Sequence, residues 1–587
     1  MPNPSSPEPP IASLRVRAAI LGSLAVVMST LAWYTMLGAY PRTQQGDGMT
    51  FHKTIDAARV SVLRYHELPL WNPYECGGIP LWDNPQQVAA APLAWPALIV
   101  GTTAAMYFWY VIHGAFGFLS MWLLCRYELR ASWMAAFIGS CAWAFNGFHQ
   151  HHYSGGHLAF VAFEYFPLAI LLWRRAEADL RAAVGLGVLV AWMFYEGAVY
   201  PLPHLALFLG AETLTRAWPA RRLLPIARAA AVVLVVGFVL GAARILPVLA
   251  QIRAHARELG VEGDVLRGKT FLRMFLARHH EREVPGQEYV WTEYNTYLGP
   301  IILVLALVGI ALAGLRYAWI YALLALAVAL MFGHFAHLAP WSILKGHVFP
   351  FKEMRVPSRF RCETSLFLAM FAAIGLDELR EMIRSRTKSI EHATAAGTLL
   401  VALACIGVGD MLSVSLSWIE TRFTNPSAGK VVPAAHLYYG GPRLATFIDQ
   451  PQQNRGELDC WDEWGFSAGA PLWQGDLPQA RGATSDVVVE AVNRTQNTFT
   501  MDVTAANAGR VLVNSAYDRG WRTDTGTLLE VDKQLVLELP AGRHHVRLHY
   551  WPHGLTLGFV LTLMGIAATT AYFVWERRRR RPISASA

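Results

Sequence analysis

GDGMTFHKTIDAARVSVLRYHELPLWNPYECGGIPLWDNPQQVAAAP, residues 46–92, interrupts an otherwise apolar chain directly after its first long hydrophobic run. The stretch places carboxylates, beginning with Asp47, where water would meet lipid. Charge at such a boundary is costly unless it is solvated, paired or used in chemistry. This segment is therefore the first place to look for a functional site.

The composition indicates a membrane protein. Hydrophobic residues make up 54% of the 587 residues, charged residues make up 16%, and the mean hydropathy is +0.29. Apolar runs of about 18 residues or more recur along the chain, as repeated bilayer spans require. The net charge of +8 comes largely from cations in short loops and in the tail at 577–581. That pattern reports topology and does not indicate nucleic-acid binding.

The positive-inside rule gives a map of about twelve transmembrane helices, with both termini in the cytoplasm. The first run lacks a clean cleavage site, so we expect it to be retained. Pro201 and Pro203 make the sixth span a candidate for a broken or kinked helix. The predicted spans are 16–40, 104–125, 131–147, 157–173, 182–199, 201–215, 226–250, 297–315, 317–333, 360–379, 394–413 and 555–575.

Two outward segments have patterns of their own. Apolar residues from Phe51 to Val62 recur at helical spacing, which predicts an amphipathic helix on the membrane surface that holds Asp47 near the bilayer edge. Within 484–553, apolar and polar residues alternate between turns, as in a small antiparallel β-sandwich. The expected domains are a transmembrane domain at 1–413 with its first outward loop at 41–103, an extracytoplasmic domain at 414–554, a last helix at 555–576 and a basic cytoplasmic tail at 577–587.

Cysteines and histidines, the side chains that most often bind zinc, occur at several places on this map. Cys76 and Cys460 both fall on the outer, oxidising side, so they are able to pair, although the sequence leaves the pairing open. Cys125, Cys141 and Cys405 lie in predicted spans and are interpreted as core residues. A histidine cluster suggests zinc, but it lacks a fixed ligand spacing, and we favour hydrogen bonds to headgroups or water. Its members are His149, His151, His152 and His157.

Several motifs together resemble one family. LPLWNPYECGGIPLWDNPQ (68–86), which follows an Asp placed soon after the first span, resembles the P-x-W-N-P-x-x-x-x-G-x-P loop of YfhO-like bacterial membrane proteins, which belong with the GT-C glycosyltransferases. FNGFHQHHYSGGHLAF (145–160), FYEGAVYPLPHLALF (194–208) and FKEMRVPSRFR (351–361) resemble further family segments in the same order. SAYDRGWRTDTG (515–526) and LPAGRHHVRLHYWP (539–552) resemble the family's C-terminal motif. The resemblance covers nearly the whole chain.

The resemblance implies an α-helical GT-C type enzyme. Its donor substrate would be a polyprenyl-phosphate sugar, and its partners would be this membrane lipid carrier and an acceptor in the cell envelope (a glycan, lipid or protein) on the outer face of the membrane. Asp47 matches the family's catalytic position, where a carboxylate takes the proton of the acceptor hydroxyl as it attacks the anomeric carbon. A single displacement would invert the anomeric configuration. The alternative is that Asp47 only caps the following helix.

A divalent cation, Mg or Mn, is an open question. Many GT-C enzymes carry a second acidic residue beside the catalytic Asp, whereas Gln44, Gln45 and Gly46 precede Asp47 here. A metal site at Asp47 would therefore need a more distant carboxylate. The candidates are Asp83, Glu75 and Asp56.

The departing lipid phosphate needs cations to stabilise its charge. Arg355 and Arg359 are the predicted phosphate ligands, with Lys352 nearby, because an arginine fork matches phosphate oxygens. The alternative is that they only reach toward lipid headgroups.

Several residues that are candidates for contact with a sugar also have a purely structural explanation. Asn72 is as well explained by a turn around its neighbouring prolines. Glu164 and Glu196 are ionisable residues in predicted spans, which are functional by default, although each is equally explained by a polar partner in the bundle. The candidates for contact with the acceptor or donor sugar are Asp83, Asn72, His157, Glu164 and Glu196.

Two other functions fit the same composition. A transporter or flippase of lipid-linked glycans would also place polar groups at the bilayer edge, but it would favour repeated halves, which this sequence does not show. A non-catalytic assembly protein could use the β-sandwich to bind glycans. Sugar transfer to a defined acceptor separates the enzyme from both.

Overall fold

The computed structural model describes residues 11–44, 46–216, 223–255, 264–279, 283–420, 422–424, 434–440, 450–458, 460 and 469–579. Three predictions reach beyond these residues. They are the place of Gln45 beside Asp47, most of the basic tail at 577–587, and parts of the irregular segment that precedes the predicted sandwich.

The chain is mostly helical up to residue 420. Short 3₁₀ helices at Leu158–Tyr165 and Pro357–Phe360 link longer elements near the site described below. The helices are α1 (Ile11–Ala32), α2 (Tyr34–Ala39), α3 (Asp47–Tyr65), α4 (Ala97–Val100), α5 (Thr102–Leu124), α6 (Trp133–Ala144), α7 (Gly147–Ser154), α8 (Phe166–Ala176), α9 (Leu180–Tyr195), α10 (Pro201–Arg216), α11 (Leu223–Ala254), α12 (Gly268–Leu276), α13 (Pro300–Leu312), α14 (Ala318–Met331), α15 (Pro340–His347), α16 (Arg361–Arg386), α17 (Ile390–Glu420) and, after the β-rich region, α18 (Leu555–Arg579).

A helix lies at each predicted span, but the count of twelve transmembrane helices is not confirmed. Among the described residues, four helices are long and apolar enough to cross a bilayer, Thr102–Leu129, Leu223–Ala254, Ile390–Ile419 and Leu555–Arg579. The pair α13 and α14 would add a fifth only as one broken span, because the two are bent by 108°. Several of the others are shorter than the roughly 20 residues that a straight span needs.

Pro201 and Pro203 do not break a helix. They lie in the first turn of α10, which begins at Pro201. A proline there removes an N–H that would have no partner within the helix in any case. The predicted kink is therefore corrected to a helix start.

Residues 480–550 form two four-stranded sheets. Their strands are β7 (Ala480–Gly482), β8 (Val487–Arg494), β9 (Thr498–Ala505), β10 (Gly509–Ala516), β11 (Trp521–Thr523), β12 (Thr527–Val531), β13 (Gln534–Leu539) and β14 (Gly542–Tyr550). The antiparallel sheet orders are β12-β13-β10-β7 and β11-β14-β9-β8. Alternate residues of both sheets share one core, which includes Phe499, Val511 and Leu537. Short strands elsewhere are β1 (Thr43–Gln44), β2 (Trp71–Asn72), β3 (Ile79–Pro80), β4 (Phe423–Thr424), β5 (Tyr438–Tyr439) and β6 (Arg455–Gly456).

The first outward loop docks onto this β-rich region. Trp71 is fully buried, and its ring lies against those of Trp521 and Tyr550, with centroids 5.4 Å and 4.7 Å away. The backbone N–H of Trp71 donates to the side-chain oxygen of Asn497 (3.0 Å). Cys76 forms a disulfide with Cys460, which answers the pairing that the sequence left open. The tryptophan of the WNP motif thus anchors the loop.

The predicted amphipathic helix is α3, but it does not lie with a polar face in water. Phe51 and Ile55 are buried as expected, and so are His52 and Asp56, which lie off the apolar stripe. Asp56 accepts hydrogen bonds from Thr102 and Gln452 (3.0 and 2.9 Å). The helix is therefore covered by protein on both faces, because the segment around residue 452 folds over it.

Two of the three cysteines interpreted as core residues are buried. Cys125 and Cys141 have no exposed surface, whereas Cys405 is exposed on α17. The interpretation of Cys405 as a core residue is therefore wrong, because this helix turns much of its apolar surface outward, as a lipid-facing helix would.

Candidate active site

Residues from five separated segments line one polar pocket of about 280 Å³. The sequence predicted four of them as site residues, Asp47, His157, Arg355 and Arg359. The remaining lining residues are Phe51, Gln86, Ala159, Phe160, Val199 and Tyr200. The pocket brings one carboxylate, one imidazole and two guanidinium groups within reach of a single small ligand.

Asp47 is the first residue of α3, where the helix dipole favours a negative charge. The preceding Gly46 has φ +64°, a left-handed conformation that turns the chain into the helix. The Asp47 side chain is 31% exposed, and its Oδ2 lies 2.9 Å from Nε2 of His157. A partly solvated carboxylate that faces a pocket is well placed to take up a proton.

Gly156 explains how His157 reaches Asp47. Its φ is +86°, and a Cβ built there would lie 2.1 Å from the backbone nitrogen of Gly48. The turn that carries His157 therefore packs directly on the first turn of α3, and only glycine permits this approach.

His157 belongs to a buried line of polar contacts. Its Nδ1 lies 2.6 Å from Nδ1 of His152 on α7, and Nε2 of His152 lies 2.5 Å from Nη2 of Arg361. Arg361 has no exposed surface, and its guanidinium also donates to the backbone carbonyls of Thr292 and Asn295. Burial, and then the charge of Arg361, lower the pKa of His152 well below its ordinary value. His152 is therefore a neutral imidazole.

Arg359 is held by a carboxylate that the sequence did not single out. Its Nη2 and Nε donate to Oε1 and Oε2 of Glu293, at 2.5 and 3.0 Å. The guanidinium also lies over the rings of Phe160 and Tyr200, 4.9 and 4.5 Å from their centroids. Burial alone would raise the pKa of Glu293, but Arg359 and then Arg361 outweigh it and lower this pKa to about 2.

Arg355 and Lys352 differ in position. Arg355 lines the pocket, whereas Lys352 is exposed and is absent from the pocket wall. Lys352 precedes the extended segment that leads into the 3₁₀ helix at Pro357–Phe360. Of the three predicted phosphate ligands, the structure therefore brings two to the pocket with Asp47.

A larger apolar cavity of about 740 Å³ adjoins the polar pocket. The two share Val199 and Tyr200, and Met354 of the cavity precedes Arg355 of the pocket. The cavity lies among α9, α10, α11 and the segment 349–354, and its wall is almost entirely apolar. Some of its lining residues are also exposed on the outside of the chain, so the cavity opens sideways onto an apolar surface. They are Leu234, Phe238 and Leu249.

Asp83 lies elsewhere, buried where the first loop, α11 and the β-rich region meet. The hydroxyl of Tyr550 donates to Asp83 and Asp518, and Gln251 bridges the same two carboxylates. Burial, and then the charge of Asp518, raise the pKa of Asp83 to about 7. Asp83 is therefore a buried linkage between parts of the fold and not a wall of the pocket.

Asn72, Glu164 and Glu196 are also outside the pocket wall. Asn72 accepts a hydrogen bond from the N–H of Tyr74 (3.1 Å), which is the turn role that the sequence offered as its alternative. Glu196 accepts from Tyr165 and Trp192 at 3.0 and 2.9 Å.

Glu164 is fully buried, with Oε1 3.4 Å from Nδ1 of His149. Glu196 therefore has hydrogen-bond partners inside the helix bundle, Glu164 has this contact with His149, and the structure does not bring either glutamate to Asp47.

Sequence reasoning missed several residues around the pocket. Gln86 and Tyr200 line it, and Glu293 and Arg361 fix its charged groups from behind. Gln86 and Tyr200 lie within motifs already quoted, so their segments carried a signal. Glu293 lies in a loop without a recognisable motif. Its role is evident only from the structure, in which it pairs with the buried Arg359.

The donor set of the pocket does not fit a divalent cation. Mg²⁺ and Mn²⁺ prefer several oxygen ligands, whereas Asp47 is the single carboxylate among the lining residues and two arginines share the wall. Asp56 and Asp83 have the partners given above, and Glu75 lies within 3.5 Å of Asn72. Across the described part of the chain, no three His, Cys, Asp or Glu side chains are grouped to hold a metal ion.

No protein-family profile matches the sequence, and no curated protein matches it. Among solved structures, the chain is similar to a single-particle cryo-EM structure of the arabinofuranosyltransferase AftD from Mycobacteria, with 13% identity and a TM-score of 0.43. The match covers 69% of this chain and 27% of that chain, so this chain spans about a quarter of the length of the protein it matches. A likeness this distant carries no functional conclusion, and membership of the YfhO-like family stays a prediction.

Proposed function

We propose that the protein is a membrane glycosyltransferase of GT-C type that transfers a sugar from a polyprenyl-phosphate donor to an acceptor of the cell envelope. One observation carries the proposal. A polar pocket that contains Asp47, Arg355 and Arg359 joins an apolar cavity of about 740 Å³ through Val199 and Tyr200. An amphiphile with a charged head and a long hydrocarbon tail fits this arrangement.

The lipid-linked donor would lie across the junction. Its hydrocarbon tail enters the apolar cavity from the side, past Leu234 and Phe238, and exchanges contacts with lipid for contacts with an apolar wall. The phosphate reaches Arg355, and the sugar occupies the polar pocket beside Asp47. The charge that Arg359 offers to the phosphate is partly balanced, since Glu293 forms a two-point ion pair with it.

The reaction is a single displacement. The acceptor oxygen forms a bond to the anomeric carbon while the bond between that carbon and the phosphate oxygen breaks. The hydroxyl proton passes to the Asp47 carboxylate, and the electron pair of the broken bond leaves with the polyprenyl phosphate. Arg355 stabilises the negative charge that develops on this leaving group. Attack opposite the leaving group inverts the anomeric configuration.

We place the pocket on the outer face of a bacterial cytoplasmic membrane. The disulfide between Cys76 and Cys460 supports this orientation, because such bonds persist in oxidising compartments. Cys76 of this disulfide lies in the loop at 41–103, and the same loop carries Gln86, which lines the pocket. The loops rich in arginine would then lie in the cytoplasm.

The test is transfer by the purified full-length protein in lipid nanodiscs. A panel of radiolabelled polyprenyl-phosphate sugars is incubated with envelope fractions, and product is scored by chromatography. We expect Asp47→Asn to reduce turnover by about 10²–10⁴-fold. Asp502→Asn, on the exposed surface of the β-rich region, is the matched control and keeps full turnover.

A second pair of variants separates the cations. Arg355→Ala should raise the KM for the donor, whereas Lys352→Ala should not, because only Arg355 lines the pocket. Undiminished turnover in Asp47→Asn contradicts the assignment of the base. Movement of the lipid-linked sugar across vesicles with no transfer favours a flippase, and binding with neither favours a non-catalytic assembly protein.

A further inference from the structure

The contacts from Arg361 to Asp47 determine where the protons of two histidines reside. Nη2 of Arg361 lies 2.5 Å from Nε2 of His152, and a guanidinium only donates hydrogen bonds. Nε2 of His152 must therefore accept. A neutral imidazole carries one proton, so in His152 that proton is on Nδ1.

The same reasoning extends to His157. The Nδ1–H of His152 points at Nδ1 of His157, 2.6 Å away, so this nitrogen also accepts. The proton of a neutral His157 is then on Nε2, which lies 2.9 Å from Oδ2 of Asp47. A proton at that position is favourable, since a bare nitrogen lone pair would repel the carboxylate.

We infer that Arg361 and His152 are positioning residues that hold His157 as a neutral imidazole with its Nε2–H facing Asp47. The N–H groups of Arg361, His152 and His157 point in one direction, and the chain ends at the carboxylate. We call these four residues the donor chain.

The donor chain opposes protonation of His157. A proton on its Nδ1 would face the Nδ1–H of His152 at 2.6 Å, and relief would require His152 to move its own proton toward the Arg361 guanidinium. Asp47 and Glu293 favour a positive charge on His157, and the nearby cations disfavour it. The charged and titratable groups packed around the two histidines are Asp47, His151, Glu293, Arg355, Arg359 and Arg361.

If the protein transfers sugars as proposed above, the hydrogen on Nε2 of His157 also limits where a catalytic proton can go. Because Nε2 of His157 already carries a hydrogen, it cannot accept the proton that Asp47 takes from the acceptor hydroxyl. The proton must leave Asp47 toward solvent through the pocket, in which Asp47 is partly exposed. A neutral His157 also leaves the Asp47 carboxylate free of an adjacent imidazolium, which would stabilise the carboxylate as an ion pair and weaken it as a base.

The direct test is ¹⁵N NMR of the full-length protein in nanodiscs with ¹⁵N-labelled histidine. The His157 signals are assigned from their loss in His157→Gln. We expect the Nε2–H tautomer for His157. In His152→Phe, which keeps an aromatic ring but removes the N–H donor, we expect a measurable fraction of the Nδ1–H tautomer, because Nδ1 of His157 no longer has to accept a hydrogen bond from His152.

His149→Phe is the matched control, since His149 is on the same helix and contacts Tyr153 instead of the donor chain. An Nδ1–H tautomer for His157 in the wild type, or the same ratio of the two tautomers in wild type and His152→Phe, would overturn the inference.

Activity gives an independent reading. If His152 acts through its N–H as a positioning residue, His152→Gln, which retains an amide N–H donor and an acceptor, should keep about tenfold more turnover than His152→Phe. Equal losses in the two variants would indicate a merely structural role and would overturn the inference. Full turnover in Asp47→Asn with the expected tautomer would instead refute the proposed function and leave the donor chain standing.

Discussion

Arg359 and Glu293 form a two-point ion pair, with Nη2–Oε1 and Nε–Oε2 distances of 2.5 and 3.0 Å, directly behind the wall of the polar pocket. This ion pair gives Arg359, the second arginine of RVPSRF, a structural role. Arg355 lines the pocket, while Arg359 ties the loop that carries Glu293 to the start of α16. An arginine predicted from a motif as a phosphate ligand is therefore first of all a buried structural ion.

The first prediction concerns the stability that this pair provides. Arg359→Met removes both hydrogen bonds from the buried Glu293 carboxylate and leaves it only the longer contact with Arg361 (4.0 Å), and breaking such a buried pair costs about 3–5 kcal/mol. Arg278→Met is the control, because its pair with Asp410 is half exposed and contributes about 0–1 kcal/mol. Thermal unfolding in detergent should show a clear loss only for Arg359→Met, and equal losses would contradict the role of the pair.

The pH dependence of that loss has a definite sign. The pKa of Glu293 is lowered from 4.5 to about 2 in the fold, so its contribution to stability is present above pH 4.5 and is lost as pH falls toward 2. The difference in Tm between wild type and Arg359→Met should be largest near neutral pH and should narrow below pH 4.5. A difference that stays constant down to pH 3 would show that the ion pair is not its source.

The second prediction concerns the approach of the Gly156 turn to α3. Gly156 and Gly101 have nearly the same φ, +86° and +85°, but a Cβ on Gly101 would meet nothing within 4 Å. Alanine at either position carries the cost of a left-handed conformation, roughly 1–2 kcal/mol. Gly156→Ala must also push His157 away from Asp47, and a shift of about 1 Å can reduce turnover about 10²-fold. Similar turnover in both variants would contradict the importance of this contact.

The helices were predictable from the sequence because apolar runs mark them well. Which of these helices cross the membrane was not predictable in the same way. A run such as 131–147 reads as a span, whereas α6 occupies only Trp133–Ala144. Burial of such a short helix among its neighbours leaves the same apolar signature as burial in lipid. Hydrophobicity alone therefore does not determine the number of spans.

The candidate site was predictable where charge stood out from its surroundings. Asp47 and Arg355 interrupt apolar sequence at a membrane boundary, and both line the pocket. Glu293 could not be found in this way, because its partner Arg359 lies 66 residues away. Asp83 stood out for the same reason as Asp47, yet it is buried with Asp518, and only the tertiary fold distinguishes a linkage from a site.

The third prediction tests the apolar cavity as the place for the lipid tail. Ala230 lines the cavity, whereas its neighbour Ala231 is exposed and does not. Ala230→Trp should raise the KM for a long-chain donor about tenfold with kcat nearly unchanged, because the lost contacts are equal in ground and transition states. A short-chain donor should be affected less. The same KM for Ala230→Trp and Ala231→Trp would rule out this path for the tail.

The fourth prediction concerns the buried carboxylates Asp83 and Asp518. Because the pKa of Asp83 is raised from 3.8 to about 7, the folded protein retains a proton that the unfolded chain releases between these values. This group's contribution to stability is therefore complete below pH 3.8 and declines as pH rises toward 7, by on the order of 1 kcal/mol per pH unit. Asp83→Asn, which cannot ionise, should lose this decline and should unfold at a higher temperature than wild type at pH 8. Glu530→Gln, on the exposed face of β12, should keep the wild-type pH profile. An Asp83→Asn profile that still falls between pH 5 and 7 would place the titrating group elsewhere.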